Sequence, residues 1–226
     1  MAAPQLSTPT PPLPELVWIR PPQQARSQLT LSRILDAAEA ILAEKSWEDA
    51  SVAEIARRAG SSVGAFYTRF PDKDTLLAAL HQRFVEEAWA TAQVALDDKR
   101  WVGASICEIV RELVAFQVRV NDQRRGQLRA FALRTTSDPN FYARSERLYK
   151  QMEELFVKLV VARRHEILHP IPVVAANFVG RMINAMLLNR VLDAKFVPPG
   201  ISFGDELTHA ALAYLGVFPE DAIDVL

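Results

Sequence analysis

Two groups of side chains in this sequence have types and spacings that could do chemistry. The first is His165-Glu166-Ile167-Leu168-His169, the HExxH order in which two histidines one helical turn apart grip zinc while the glutamate acts as a base. That chemistry needs a helix running on through the second histidine. Here Pro170 follows at once, Pro172 blocks continuation, and neither a downstream Gly-x-x-His nor any glutamate before Glu206 offers a third ligand nearby. A zinc metallopeptidase on His165, Glu166 and His169 therefore stands as the alternative reading, with capping or solvated histidines at a helix end as the default. No metal and no cofactor is expected.

The second group is cationic. Arg57, Arg58, Arg69 and Lys73 stand against Asp72 alone between residues 57 and 73, and clustered cations are what neutralising phosphates requires. The formal net charge of the whole chain is -1, so a nucleic-acid site has to be this local patch. No other nucleophile, glycine-rich phosphate loop or carboxylate pair has catalytic spacing, and Ser61 and Ser62 lack the glycine elbow of a hydrolase. The chain is expected not to be an enzyme.

The elements that position these residues follow from periodicity. Half of the 226 residues are apolar and recur at helical spacing, so the fold class is all-α with a sizeable core. Residues 1–25 carry half of the 14 prolines and form a flexible arm, in which Trp18, Ile19 and Arg20 could dock locally. Residues 26–80 hold the cationic group. Leu31, Ile34, Leu35, Ala38, Ile41 and Leu42 predict a first helix ending near Ser46. Ser51-Val52-Ala53-Glu54 predicts a capping box opening a short second helix, Gly60 closes it, and Ser62 caps a third carrying Phe66 and Phe70 inward. Pro71 and Asp72 then start a longer fourth helix. Two short helices across a glycine turn are what a helix-turn-helix needs to present the second to a DNA major groove.

The residues here resemble a known family. Arg33-Ile34-Leu35-Asp36-Ala37-Ala38, then Ser51 through Gly60, then Ser62 through Leu77 are similar in kind and order to the DNA-binding domain of TetR-type transcriptional regulators. The resemblance spans about residues 29 to 80. It implies a three-helix DNA-binding domain followed by a helical ligand-binding and dimerisation domain. Ser51 and Ser62 would cap their helices and touch the backbone. Val63, Gly64 and Ala65 would approach base edges closely, with thymine methyls as their main direct readout. Tyr67 would donate to a phosphate, Lys73 would be the backbone anchor, and Thr68 and Arg69 would reach bases or phosphates. Arg20, Arg26 and Arg33 extend this footprint if the arm enters the minor groove. Ser46 stands where the family usually has a glycine, and Ser61 where it usually has an apolar residue.

The remainder, residues 81–226, resembles the family in layout only. Trp89, Trp101, Phe116, Phe131, Tyr142 and Asn184 are candidates to line an effector pocket. The apolar stretch from Val173 to Leu192 is long enough for a membrane span, but Arg181, Arg190 and three asparagines interrupt it, so no membrane association is expected. Its small residues instead point to a homodimer interface through Ala176, Gly180, Ile183 and Leu187, joined by Leu207 and Ala211 of the last helix, with burial inside a monomeric core as the competing reading. The lone Cys107 makes no internal disulfide, and a cytoplasmic location follows. The expected partners are palindromic operator DNA and a small-molecule effector that releases a repressor. A helical ligand-binding dimer without DNA binding is the remaining rival.

Overall fold

A computed structural model describes residues 15–18, 29–193 and 195–217. Arg20 and Arg26, which would extend the footprint only if the arm entered the minor groove, lie outside them. Among the described residues the chain is all-helical: α1 (Leu29–Leu42), α2 (Val52–Arg58), α3 (Val63–Tyr67), α4 (Lys73–Ala95), α5 (Ile106–Gln123), α6 (Arg125–Thr135), α7 (Pro139–Val161), α8 (Pro172–Leu192) and α9 (Phe203–Leu215).

α1 buries Ile34, Leu35, Ala38, Ile41 and Leu42, the stripe that periodicity predicts. It stops at Leu42, short of Ser46, where the Glu44 amide tightens onto the Ile41 carbonyl three residues back at 2.9 Å. The apolar faces of α1 to α4 close one core around Phe66 and Leu80, both fully buried. Ala130, Phe131 and Phe141, from α6 and α7, complete that core. A second core joins α5, α7, α8 and α9 around Trp101, Ile109, Val179 and Ala211. α4 runs between the two, so its 23 residues mechanically link the N-terminal helices to the rest.

The junction of the cores is ionic. Buried Arg83 on α4 donates to Asp36 and Glu39 of α1, each at 2.6 Å. Arg124, between α5 and α6, pairs with Glu39 at 2.9 Å and with buried Glu87 of α4 at 3.4 Å. Such a network is costly to break from one side, because removing a partner strands a desolvated charge. α6 adds two backbone contacts. A Cβ on Gly126 would lie 1.7 Å from the Leu42 carbonyl oxygen, so only glycine lets α6 meet the end of α1. Arg125 donates to the Arg190 carbonyl at 3.0 Å, and Arg129 donates to that of Leu192, satisfying the open end of α8.

Residues 15–18 pack against the helices, and of the arm residues that could dock, Trp18 lies among those described. Leu16 is buried in the second core, and Trp18 stacks on Phe84 of α4 with 5.4 Å between ring centroids. The Arg124 guanidinium covers the Trp18 ring at 4.4 Å.

The HExxH pentad does not form a helix. A three-residue 3-10 turn covers Arg164–Glu166, and Ile167 is extended, so the two histidines do not share a helical face. The Glu166 carboxylate instead accepts the Ile106 amide at 2.8 Å, satisfying an open donor at the start of α5. His169 accepts from its neighbour, the Ile171 amide, at 3.1 Å. Among the described residues no three His, Cys, Asp or Glu side chains gather around a metal position. No helix among them is long and apolar enough to cross a membrane.

Candidate nucleic-acid interface

α2 and α3 form a helix-turn-helix built by local signals. The Ser51 hydroxyl accepts the Glu54 amide at 3.2 Å, and the Ser62 hydroxyl accepts the Ala65 amide at 3.1 Å. The expected capping box on α2 is only half made, since the Glu54 carboxylate pairs with Lys45 at 2.5 Å. Between the helices Gly60 adopts φ 62°, a left-handed conformation that costs a side chain about 1–2 kcal/mol. Ser61 sits half-buried in the turn, its amide closing onto the Ala56 carbonyl at 2.9 Å. Phe66 and Phe70 turn inward, 5.6 Å apart, and fix the angle of α3. Replacing a buried Phe by Ala costs about 3–5 kcal/mol, so these rings hold the orientation firmly.

The opposite side of α3 is open. Val63, Gly64, Tyr67, Thr68 and Arg69 are exposed together with Ser51 and Ser62, while Ala65 is half-buried. Val63 and Tyr67 are 42% and 52% exposed, a large apolar investment in water for so short a helix. Thr68 spends its hydroxyl proton on the Gly64 carbonyl at 3.0 Å, which leaves its oxygen as an acceptor. Small residues at the head of α3, an aromatic hydroxyl and one extended cation suit a surface that enters a groove.

The charge of this edge is smaller than the sequence implies. Arg58 is paired with Glu44 at 2.6 Å. Lys73 departs further from expectation. Its ammonium donates to the carbonyls of Trp47 at 2.6 Å, Ala50 at 2.9 Å and Glu48 at 3.3 Å, and lies 5.1 Å from the centre of the Trp47 ring. All three of its protons are aimed at the α1–α2 loop, so its observed work is to hold that loop against α4. Of these cations, Arg57 and Arg69 are exposed and have no acidic partner among the described residues. At the start of α4, Asp72 accepts the Thr75 amide at 2.6 Å, and this bond holds its carboxyl below the usual range.

The expected effector residues do not converge. Trp101 is fully buried, with its indole donating to the Ala95 carbonyl at 2.8 Å, and Phe116 is core. Phe131 belongs to the N-terminal core, Tyr142 is 54% exposed, and Trp89 lies over a separate open cleft with Gln93 and Lys158. Asn184 alone faces a cavity with mainly apolar walls, between α5, α7 and α8 and the end of α4. The sequence missed its other walls, Leu113, Met152, Phe156 and Ile183, because nothing local distinguishes them from core.

The expected dimer residues are also turned inward. Ala176, Ile183, Leu187, Leu207 and Ala211 are buried within the chain, and Gly180 is half-buried against Phe156. The outer face of α8 instead exposes Val174, Phe178, Arg181, Ala185, Leu188 and Leu192. Their steps of four, three, four, three and four make one continuous stripe. Tyr214 of α9 stacks on Phe178 at 4.5 Å and extends it.

The family model described as bacterial regulatory proteins, tetR family, matches residues 34–80. No curated protein matches the chain. Among solved structures, a Mesorhizobium loti MAFF303099 protein assigned as a TetR-family transcriptional regulator is similar in fold. Its TM-score is 0.63 at 19% identity, over 85% of this chain and 96% of that one. NalD of Pseudomonas aeruginosa, the secondary repressor of the MexAB-OprM multidrug efflux pump, is similar at TM-score 0.57 and 20% identity, over 84% and 98%. FadR of Bacillus halodurans, a fatty acid degradation regulator, is similar at TM-score 0.58 and 18% identity, over 84% and 100%.

Proposed function

We propose, on the premise that this chain carries the DNA-binding domain and the all-helical fold of the TetR-family transcriptional regulators, that it is a homodimeric repressor of a palindromic operator, released by a small molecule. The observation that carries the reading is the outward face of α3. Val63, Gly64, Tyr67, Thr68 and Arg69 are exposed there on a helix whose inner face is locked by Phe66 and Phe70. Arg69 and Arg57 supply the phosphate attraction, Tyr67 donates its phenol to the backbone, and Val63 meets thymine methyls. The hydroxyls of Ser51 and Ser62, already caps, retain protons to donate to flanking phosphates.

One such head reads too few bases for specificity, and a two-fold pair one helical turn apart solves this. The α8 stripe with Tyr214 supports that pairing, because a monomer leaves Val174, Phe178, Leu188, Leu192 and Tyr214 exposed to water along one face that only Arg181 interrupts with charge. A molecule seated among α5, α7 and α8 would change how α8 is held, and α4 and α6 would carry the change to α1. The repressor is expected in the cytoplasm with its operator.

The reading is tested by titrating the protein onto its own upstream DNA at several salt concentrations. Retardation that weakens steeply with salt and saturates at two chains per site is expected. If no fragment is retarded even at low salt, the repressor reading is lost.

A further inference from the structure

The cavity among α5, α7 and α8 has a composition that narrows its ligand, an inference that rests on the regulator reading for its biological role. Leu96, Leu113, Met152, Phe156 and Ile183 line its walls, and Gly180 leaves room beside Phe156. The uncharged polar groups are few, and one of them is the phenol of Tyr149 on α7, 46% exposed. Gln117 from α5 and Asn184 from α8 contribute half-buried amides, and neither side chain has a hydrogen-bond partner among the described residues. An amide in that state offers a donor and an acceptor with nothing to meet them except solvent or a ligand.

The charges at the cavity cancel. Arg181 holds Glu153 through two contacts, 2.7 and 3.4 Å, joining α8 to α7 at the rim. Its side chain is 76% exposed, so the guanidinium lies outside the apolar walls and its carboxylate partner is already in place. An anionic ligand would have to displace Glu153, and a cationic one Arg181. The space is about 140 Å³. An apolar cavity of about 150 Å³ holds one benzene ring, so a single ring fits and a long acyl chain does not.

We infer that this cavity binds a neutral, single-ring molecule bearing one or two hydroxyl, carbonyl or ring N–H groups, with the ring against Phe156, Leu113 and Ile183 and the polar groups on Gln117 and Asn184. The site lies beside the exposed stripe of α8, since Arg181 belongs to both. Occupancy therefore acts on the packing of α7 against α8, next to the surface on which a second copy docks.

The test measures binding to the full chain without DNA, by calorimetry and by thermal shift. Phenol and benzyl alcohol are the neutral probes, toluene the ring without a polar group, benzoate the anion and decanoate the long chain. Phenol or benzyl alcohol should bind more tightly than the other three. Asn184→Leu and Gln117→Leu should each weaken the neutral polar probes about fivefold to tenfold, the loss of one hydrogen bond, while leaving toluene unchanged. Gly180→Leu should fill the space and abolish binding of all rings. Should that variant fail to fold, the two amide variants decide the matter alone. Failure of every ring probe to bind, binding of benzoate or decanoate as tight as phenol, or binding indifferent to both amide variants would overturn the inference. Because no DNA is present, a failure to retard operator fragments bears on the repressor reading and leaves this result standing.

Discussion

Trp18 donates its indole N–H to the buried carboxylate of Glu87 at 2.7 Å, across 69 residues of sequence. Glu87 sits on the helix shared by both cores and also faces Arg124. An aromatic side chain from the proline-rich arm is thereby a structural part of the junction between the N-terminal helices and the rest. Trp18→Phe should keep the stack on Phe84 but lose the donor, costing about 1–2 kcal/mol in urea denaturation. Trp18→Ala should cost more, since the stack and the cation–π contact go too. If neither variant shifts the midpoint, the arm is not docked in solution.

Lys73 and Arg69 should separate cleanly in DNA-binding measurements. Arg69→Ala should weaken operator binding across sequences and lower the salt slope by about one per reading head. Lys73→Met should leave the slope nearly unchanged. It should instead destabilise the fold by about 1–3 kcal/mol, because three loop carbonyls lose a charged donor. A slope that falls equally for both variants would restore Lys73 to the phosphate footprint.

Phe178→Asp places a charge on the exposed stripe of α8 without entering either core. Sedimentation should show the dimer giving way to monomer, a loss of about 2 kcal/mol or more in association. Ala176→Ser, on the inner face, should affect stability instead of association. The reverse pattern would return the interface to the small residues.

His81 should make the fold sensitive to acid. It is buried between Phe131 and Phe141, bonded to Ser145 at 3.1 Å, and its Nδ1 has no partner among the described residues. Burial, helped by Arg144 and opposed by Asp138, lowers its pKa from 6.5 to about 4. The unfolded chain therefore takes up the proton first as pH falls. The contribution is complete above about pH 6.5 and is lost progressively toward pH 4, amounting to about 3 kcal/mol in all. His81→Gln should flatten this window in urea titrations run at several pH values.

The N-terminal helices were legible because their signals are local. Ser51, Gly60 and Ser62 each specify a cap or a turn through their own atoms, and the structure uses all three in those roles. Helix α8 leaves two readings open in the sequence because it is apolar on more than one face. Periodicity cannot say which face turns inward, although the steps from Val174 to Leu192 mark a stripe once its inner face is known. The loop contacts of Lys73 were not legible, because its partners, carbonyls of the α1–α2 loop, are set by tertiary folding. The cavity was not legible, since Trp101 and Phe116 serve the core while the amides that line it, Gln117 and Asn184, come from separate helices. Trp18 had a visible cue, an apolar run from Leu16 to Ile19 inside a proline-rich arm.

Between Gly126 and the Leu42 carbonyl there is no room for a single methyl group. Two backbones in direct contact pass on a displacement without attenuation, since no side chain lies between them to change rotamer. The same helix grips the end of α8 through Arg125 and Arg129. On the regulator reading proposed above, Gly126→Ala, which must push α6 off the end of α1, should weaken the effect of a ligand on DNA retardation more than it weakens either binding event measured alone.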